Sequence, residues 1–403
     1  MMKIIVQKFG GTSLQTEESR DRCAEHVASA LREGYKVVVV VSAMGRSGDP
    51  YATDSLLEIA GGNPPDVSPK EQDMLMACGE TISAVVFSSI LQKKGIKSEA
   101  VTGAEAGFRL SENFGDARIR EMKTDHLEEL LENVDVAVVT GFQGQTPKGH
   151  TATLGRGGSD TSATALGAAL EASCVDIFTD VNGIMTADPR VVKNAKSLSV
   201  ITYGEVSNMA YQGAKVIHPR AVEVAMQADV PIRIRSAYEE GEGTLITSST
   251  SSIRGRDLEE RPVTAVTHVS DVIQLKINNP EDPSRVFECM AEENISVDFI
   301  SIHPEFITFT VPSHIRIKAE DSLQSEGYHV TWTDQCAKVA AVGAGMSGVP
   351  GIAARIVKAL KDKNIPIMQS ADSHTTIWVL VKEKHMLNAV NALHDAFLHE
   401  LCP

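Results

Sequence analysis

Five consecutive valines, Val37-Val38-Val39-Val40-Val41, constrain this chain more than any other stretch. Successive side chains of a strand point to opposite faces, so an unbroken apolar run must be buried on both sides. That is the condition of a strand inside a parallel sheet covered by helices. The run ends in Ser42-Ala43-Met44-Gly45, where the chain turns polar and small. Lys3-Ile4-Ile5-Val6-Gln7-Lys8-Phe9 and Val136-Ala137-Val138-Val139-Thr140 read in the same way. Each runs into glycines, Gly10-Gly11-Thr12-Ser13 and Gly141-Phe142-Gln143-Gly144. Val175-Asp176-Ile177-Phe178-Thr179 leads into Asp180-Val181-Asn182-Gly183. Helical spacing separates these strands, from about Thr16 to Leu31 and from about Glu71 to Leu91. Strands alternating with helices predict an α/β sandwich on a mostly parallel sheet, with ligands at the carboxyl ends of the strands.

One glycine-rich segment stands out, Thr153-Leu154-Gly155-Arg156-Gly157-Gly158-Ser159-Asp160, followed by the helix-like Thr161-Ser162-Ala163-Thr164-Ala165-Leu166. A glycine turn running into a helix presents free backbone N–H groups and the positive end of the helix dipole, which suits an anion. Arg156 can clamp a carboxylate through two parallel hydrogen bonds. The plain alternative is a surface turn with a solvated arginine. A second turn of this kind is Gly10-Gly11, with Lys8 just before it in reach of the same ligand. It is not a Walker motif, because no Gly-Lys-Ser/Thr closes the loop. Glu80 sits between Gly79 and an apolar helix, and Lys215 lies in Gly213-Ala214-Lys215-Val216. His218, before a proline and among apolar residues, reads as structural. The polar groups fall into two sets: Lys8, Gly10, Gly11 and Lys215 suit phosphate, while Arg156, Ser159 and Glu80 suit a small acidic substrate. Phosphoryl transfer accommodates both, and no Ser-His-Asp order or zinc-ligand spacing competes.

The 403 residues carry 38 Lys plus Arg against 53 Asp plus Glu, a net charge of −15, with no basic block. That balance argues against nucleic acid or an anionic membrane as a partner. No apolar run is expected to span a bilayer, and the N-terminus is too short for a signal peptide. Cys23, Cys78, Cys174, Cys289, Cys336 and Cys402 are scattered without a Cys-x-x-Cys pair, as in a cytoplasmic protein with reduced thiols.

Eight segments, in order, resemble the motifs of the aspartate kinases: Lys8 to Ser13, Val41 to Gly45, Gly79-Glu80, Gly141 to Gly144, Leu154 to Asp160, Thr179 to Gly183, Ala187 to Arg190 and Gly213 to Val216. The resemblance covers nearly the whole chain. It implies the amino-acid kinase fold, a three-layer αβα sandwich, followed by two α+β ferredoxin-like ACT domains. It assigns 1–245 to the catalytic domain, 246–262 to a linker, and 263–336 and 337–403 to the ACT domains. It implies that Lys8, Gly10, Gly11 and Ser13 cradle the transferring phosphates, and that Thr179, Asp180, Arg190 and Lys215 hold ATP, whose phosphates carry Mg²⁺. It implies that Ser42, Thr53, Glu80, Arg156, Gly157, Gly158 and Ser159 hold L-aspartate, with Arg156 on the α-carboxylate, Glu80 near the ammonium and Asp160 orienting Lys8. The catalytic groups are then Lys8, Asp160 and Lys215. Gly48-Asp49-Pro50-Tyr51-Ala52 intervenes before Thr53, a departure from the family pattern that weakens that one assignment. A glutamate kinase-like enzyme and a catalytically inactive amino-acid sensor remain as alternatives.

Beyond the polar run Thr247-Ser248-Ser249-Thr250-Ser251-Ser252 the sequence repeats. Strand Ile273 to Ile277, helix Ser284 to Glu292 and Asn294-Ile295 are echoed by strand Val339 to Val342, helix Ile352 to Lys361 and Asn364-Ile365, giving two βαββαβ-like units. By the resemblance, the first module threads into the second, with Val263 to Thr267 as a strand of the second. An amino-acid effector (diaminopimelate, lysine or threonine) is expected near Asn278, Asn294, Ile295, Asn364 and Ile365, and ACT pairing across subunits implies a homo-oligomer. Diaminopimelate is favoured, because Asn278-Asn279-Pro280-Glu281 and Ile300-Ser301 depart from the family's usual pocket. Val342-Gly343-Ala344-Gly345-Met346-Ser347-Gly348, with Asp372 beyond it, imitates a dinucleotide fingerprint. The βαββαβ repeat around it lacks the paired βαβαβ halves such a site needs.

Overall fold

The computed structural model describes residues 2–62, 66–214, 216–248, 262–280, 282–346 and 349–398. It divides into two compact units: residues 1–184, 197–210 and 215–256 form the first, and 185–196, 211–214 and 257–403 the second. Lys215 lies outside the described residues, as do Ser347 and Gly348 of the glycine fingerprint.

In the first unit the chain runs β1 (Ile4–Phe9), α1 (Glu17–Arg32), β2 (Lys36–Val41), α2 (Thr53–Ile59), α3 (Pro69–Lys93), β3 (Ser98–Val101), β4 (Phe108–Leu110), β5 (Ile119–Met122), α4 (Asp125–Asn133) and β6 (Val136–Thr140). It continues through β7 (Gln143–Gln145), β8 (Thr151–Thr153), α5 (Gly158–Ala169), β9 (Val175–Thr179), β10 (Val200–Thr202), α6 (Tyr203–Tyr211), α7 (Pro219–Ala228), β11 (Ile232–Ser236) and β12 (Thr244–Thr247). Eight strands form the main sheet in the order β10-β12-β11-β9-β1-β2-β6-β3. The pairs joining β11 through β9, β1, β2 and β6 to β3 are all parallel, and the reversal falls between β11 and β12. The valine run lies at the centre, fully buried between β1 and β6. A four-stranded sheet, β5-β4-β7-β8, accompanies it.

α3 departs from the sequence expectation, since by length and composition it is apolar enough to cross a bilayer. Half of its most apolar stretch is buried in the first unit, where Phe87 and Leu91 join the core with Phe9, Val39 and Val138. Its polar Asp73, Glu80, Ser83 and Ser88 are buried there too. Ser68 and Glu71 cap its start reciprocally.

The second unit adds β13 (Ala265–Asn278), α8 (Pro283–Glu292), β14 (Asp298–His303), β15 (Phe306–Pro312), α9 (Arg316–Ser325), β16 (Val330–Val342), α10 (Ile352–Asp362), β17 (Gln369–Asp372), β18 (Thr376–Lys382) and α11 (Met386–Leu398). They build one sheet in the order β14-β15-β13-β16-β18-β17. β13 and β16 are long because two modules share them. Val272 to Ile277 pairs with Val330 to Cys336, whereas Ala265 to Val269 pairs with Lys338 to Val342 beside β18. The early strand of the first module therefore completes the second, as the resemblance implies. A bulge separates the halves, with Asp271 and Gln335 at φ 58° and 53°. Each module has its own core, Leu275, Phe309, Val286 and Leu323 in one and Val339, Val381, Ile356 and Leu393 in the other.

Candidate active site

Four parallel neighbours, β9, β1, β2 and β6, end together, and the predicted loops leave from that one edge. After β1, Gly10-Gly11 enters a short 3₁₀ turn over Thr12–Leu14, in which Ser13 N donates to Gly10 O at 3.0 Å. Gly11 is required by space: a Cβ there would lie 2.5 Å from Ala43 O and 2.7 Å from Gly45 O. The two loops are stitched by Ser42 N to Phe9 O at 3.2 Å and Gly45 N to Gly11 O at 3.0 Å. Ser13 is buried, and its Oγ has no hydrogen-bond partner among the described residues.

Lys8 projects from the carboxyl end of β1, and its Nζ lies 2.7 Å from Asp160 Oδ1. Asp160 sits in the first turn of α5, where the helix dipole favours a negative charge. α5 starts at Gly158, three residues earlier than its sequence pattern predicts, with Gly157 as its N-cap at φ 68°. No side chain caps that end. A Cβ on Gly157 would come within 2.1 Å of the His218 ring, so the turn needs glycine for conformation and for room. His218 itself caps α7, its Nδ1 accepting from Arg220 N at 3.4 Å, in keeping with a structural part. Arg156 is exposed at the tip of this turn, and Ser159 is half-buried behind it.

Glu80 reaches the same edge from α3. Gly79 makes this possible, because a Cβ there would stand 2.7 Å from Ala43 Cβ. The carboxylate is 2% exposed, and Oε1 accepts from Ala43 N at 3.0 Å. Oε2 is buried with no hydrogen-bond partner among the described residues. Burial pushes the carboxyl up to about 7, against the smaller opposing effect of the Ala43 amide. Ser42 and Thr53 are half-buried, the latter opening α2.

On the other side of β1, Thr179 Oγ1 donates to Asp180 Oδ1 at 3.2 Å at the end of β9. Arg190 belongs to the second unit, in the segment 185–196, and holds Asp188 in a two-pronged pair at 2.7 and 3.0 Å. That guanidinium holds the Asp188 carboxyl below the usual carboxylate range. The first unit therefore carries Lys8, Gly10, Gly11, Ser13, Ser42, Thr53, Glu80, Arg156, Gly157, Gly158, Ser159, Asp160, Thr179 and Asp180, whereas Arg190 belongs to the second unit. In the second unit Asn278 is exposed at the end of β13 and Asn294 and Asn364 are exposed at turns, while Ile295 and Ile365 place their side chains in the two module cores. Asn294 and Asn364 occupy matching left-handed positions, φ 54° and 53°, after α8 and α10.

Several supports were not readable from sequence. Phe142 adopts φ 69°, a strained setting for a bulky residue, with its N donating to Ser162 Oγ at 3.0 Å. Arg220 donates to Leu154 O and Ala117 O, both at 2.9 Å, and so braces the base of the Arg156 turn. Asp73 is fully buried, accepting from Gly115 N at 3.0 Å and from Thr153 N and Oγ1 at 2.8 and 2.7 Å. Arg46, in the loop after β2, lies 3.6 Å from Asp180.

The amino acid kinase family matches residues 3–236, and an ACT domain matches residues 332–395. The chain is 58% identical to aspartokinase 1 of Bacillus subtilis over 98% of its own length and 99% of that protein. The structure of Escherichia coli aspartokinase III in complex with aspartate and ADP superposes with a TM-score of 0.79 at 26% identity, covering 99% of this chain and 100% of the other. The lysine and aspartate complex of the same enzyme gives a TM-score of 0.75 at 26% identity, over 98% and 99% of the two chains.

Proposed function

This chain belongs to the aspartokinases of the amino acid kinase family, and we propose that it moves the γ-phosphoryl group of ATP onto the β-carboxylate of L-aspartate through the groups gathered at the β1 edge. The observation that carries this is the Lys8–Asp160 pair at 2.7 Å, beside a glycine turn on one side and the uncapped start of α5 on the other. In this reading Asp160 aims the Lys8 ammonium at the transferring phosphoryl, and the amides of Gly10 and Gly11 receive the phosphate oxygens. Thr179, Asp180 and Lys215 complete the nucleotide site on the first unit. Arg156 takes the α-carboxylate of aspartate, with Ser42, Thr53, Gly157, Gly158 and Ser159 around it. The open Oε2 of Glu80 accepts the ammonium. The β-carboxylate is ionised near neutral pH and needs no general base. Catalysis is then positioning and charge stabilisation. Mg²⁺, carried on the nucleotide phosphates, supplies further positive charge there.

An ADP-release assay with aspartate, with glutamate and with neither acid tests this directly. Aspartate-dependent release is expected, and a preference for glutamate would move the chain to a glutamate kinase-like activity. Lys8→Ala should lower kcat on the order of 10²-fold or more, the usual cost of a lost transition-state charge partner. Near-normal kcat would remove Lys8 from the chemistry and leave an inactive sensor to explain the fold. Arg156→Ala should chiefly raise the KM for aspartate.

The product feeds the aspartate-derived route to diaminopimelate and lysine, threonine and methionine, in the cytoplasm. The ACT modules give that route its feedback: an amino-acid effector binds near Asn278, Asn294 and Asn364, and the modules pair across subunits of a homo-oligomer. Lysine bound to the Escherichia coli enzyme supports an amino-acid ligand. Diaminopimelate is favoured here, because its second polar end suits the altered Asn278-Asn279-Pro280 and Ile300-Ser301 stretches. Thermal shift with lysine, threonine, methionine and diaminopimelate separates them, since a ligand of the native state raises its apparent stability.

A further inference from the structure

Arg46 has no place in the reading above, yet its position is specific. Its backbone is pinned: Arg46 N donates to Asp49 Oδ2 at 2.7 Å, and the same oxygen accepts from Gln15 Nε2 at 2.8 Å. Asp49 N returns a bond to Arg46 O at 2.9 Å. Gly45 turns the chain into this loop at φ 91°. From that fixed base the side chain runs away from β6 and the acid-binding groups, and its Nη2 meets Asp180 Oδ2 at 3.6 Å.

Arg46 is rooted after β2 and Asp180 after β9, with β1 between them. Neighbouring strands stand about 4.8 Å apart, so a contact between these two side chains has to cross the carboxyl end of β1. That is where Gly10-Gly11 and Lys8 lie. The pair is also weakly held, since the two side chains are 68% and 58% exposed and solvated ion pairs of this kind stabilise little. Lys8 already has its counter-charge in Asp160, so the nucleotide's phosphates meet Arg46 as a cation held by little. A phosphate group offers a guanidinium two oxygens at once and more charge than one solvated carboxylate.

We propose that Arg46 is a further nucleotide-binding residue, which leaves Asp180 to take the terminal phosphates of ATP as they settle on the Gly10-Gly11 turn. This rests on the nucleotide site lying at the β1 edge. It adds no proton transfer, because the guanidinium stays charged throughout and acts by attraction alone.

Calorimetric titration of ADP and steady-state kinetics on Arg46→Ala and Arg46→Lys test it. Arg46→Ala should weaken ADP binding and raise the KM for ATP on the order of tenfold, with the KM for aspartate within about twofold of the parent and the melting temperature unchanged. Arg46→Lys should recover part of the loss, because it keeps the charge but not the fork. Unchanged ADP affinity in Arg46→Ala, or a rise in the aspartate KM alone, would overturn the assignment. The unmodified protein separates the two claims. Without aspartate-dependent ADP release the catalytic reading fails, whereas the calorimetric loss still reports on Arg46.

Discussion

Two buried carboxylates on α3, Asp73 and Glu80, stand seven residues apart and differ in what surrounds them. Asp73 accepts from a loop amide, a strand amide and a threonine hydroxyl, and both oxygens are used. Glu80 accepts one amide on Oε1 and leaves Oε2 buried without a partner among the described residues. Burial raises the affinity of both for protons, but Asp73 has three sources of hydrogen bonds opposing it. A saturated buried acid holds two elements together. One with an open oxygen costs the fold stability, which makes sense where a ligand supplies the missing donor.

The largest effect is expected at Asp73. Asp73→Ala strands the Gly115 and Thr153 donors and should cost on the order of 3 kcal/mol, read as a melting temperature lower by roughly 5–10 °C. The folded enzyme should keep its aspartate KM. A large KM change would mean that Asp73 also serves the site. Glu80→Gln should do the reverse, raising the aspartate KM on the order of tenfold or more while the ligand-free melting temperature at pH 8 holds or rises. If stability falls instead, Glu80 is scaffold like Asp73.

A smaller effect sharpens the contrast through pH. The Glu80 carboxyl of the free protein titrates at about 7. Only its ionised form attracts an ammonium, so kcat/KM for aspartate should climb as pH rises through 7 and level off, with Glu80→Gln flat over the same interval. The smallest effect is on stability. A carboxyl whose folded value lies above its ordinary 4.5 favours the protonated native state. Its contribution is full below 4.5 and is lost as pH rises through about 7. The ligand-free parent should therefore lose melting temperature relative to Glu80→Gln between pH 5 and 8.

The strand-and-turn logic of the site was legible because it is local. The valine run, the Gly10-Gly11 turn, Lys8 before it and Glu80 after a glycine each carry their own signal. Asp160 lies in the first turn of α5, whose start the apolar pattern places three residues late because Gly158 and Ser159 give no apolar period. What escaped depends on partners distant in the chain. Asp73 looks like a solvated helical acid until Thr153 closes over it. Arg46 acquires meaning only beside Asp180, and Arg220 only beneath Leu154. The length and apolar composition of α3 mimic a membrane span, because a core helix and a spanning one satisfy the same test.

The segment 185–196 departs from the sandwich after Ile184 and rejoins it at Ser197, yet it counts with the second unit. There Ala187 and Val192 are buried with Ile352, Leu360 and Leu393, Thr186 Oγ1 meets His394 Nε2 at 2.9 Å, and Asn391 donates to Val191 O at 3.1 Å. A gene severed at the Ser/Thr-rich junction would thus yield a catalytic fragment with a sticky, unclothed loop rather than a free-standing kinase. Evolution and engineering alike would have to exchange the two halves as an interlaced whole, since end-to-end fusion with a foreign sensor leaves this tongue unhoused.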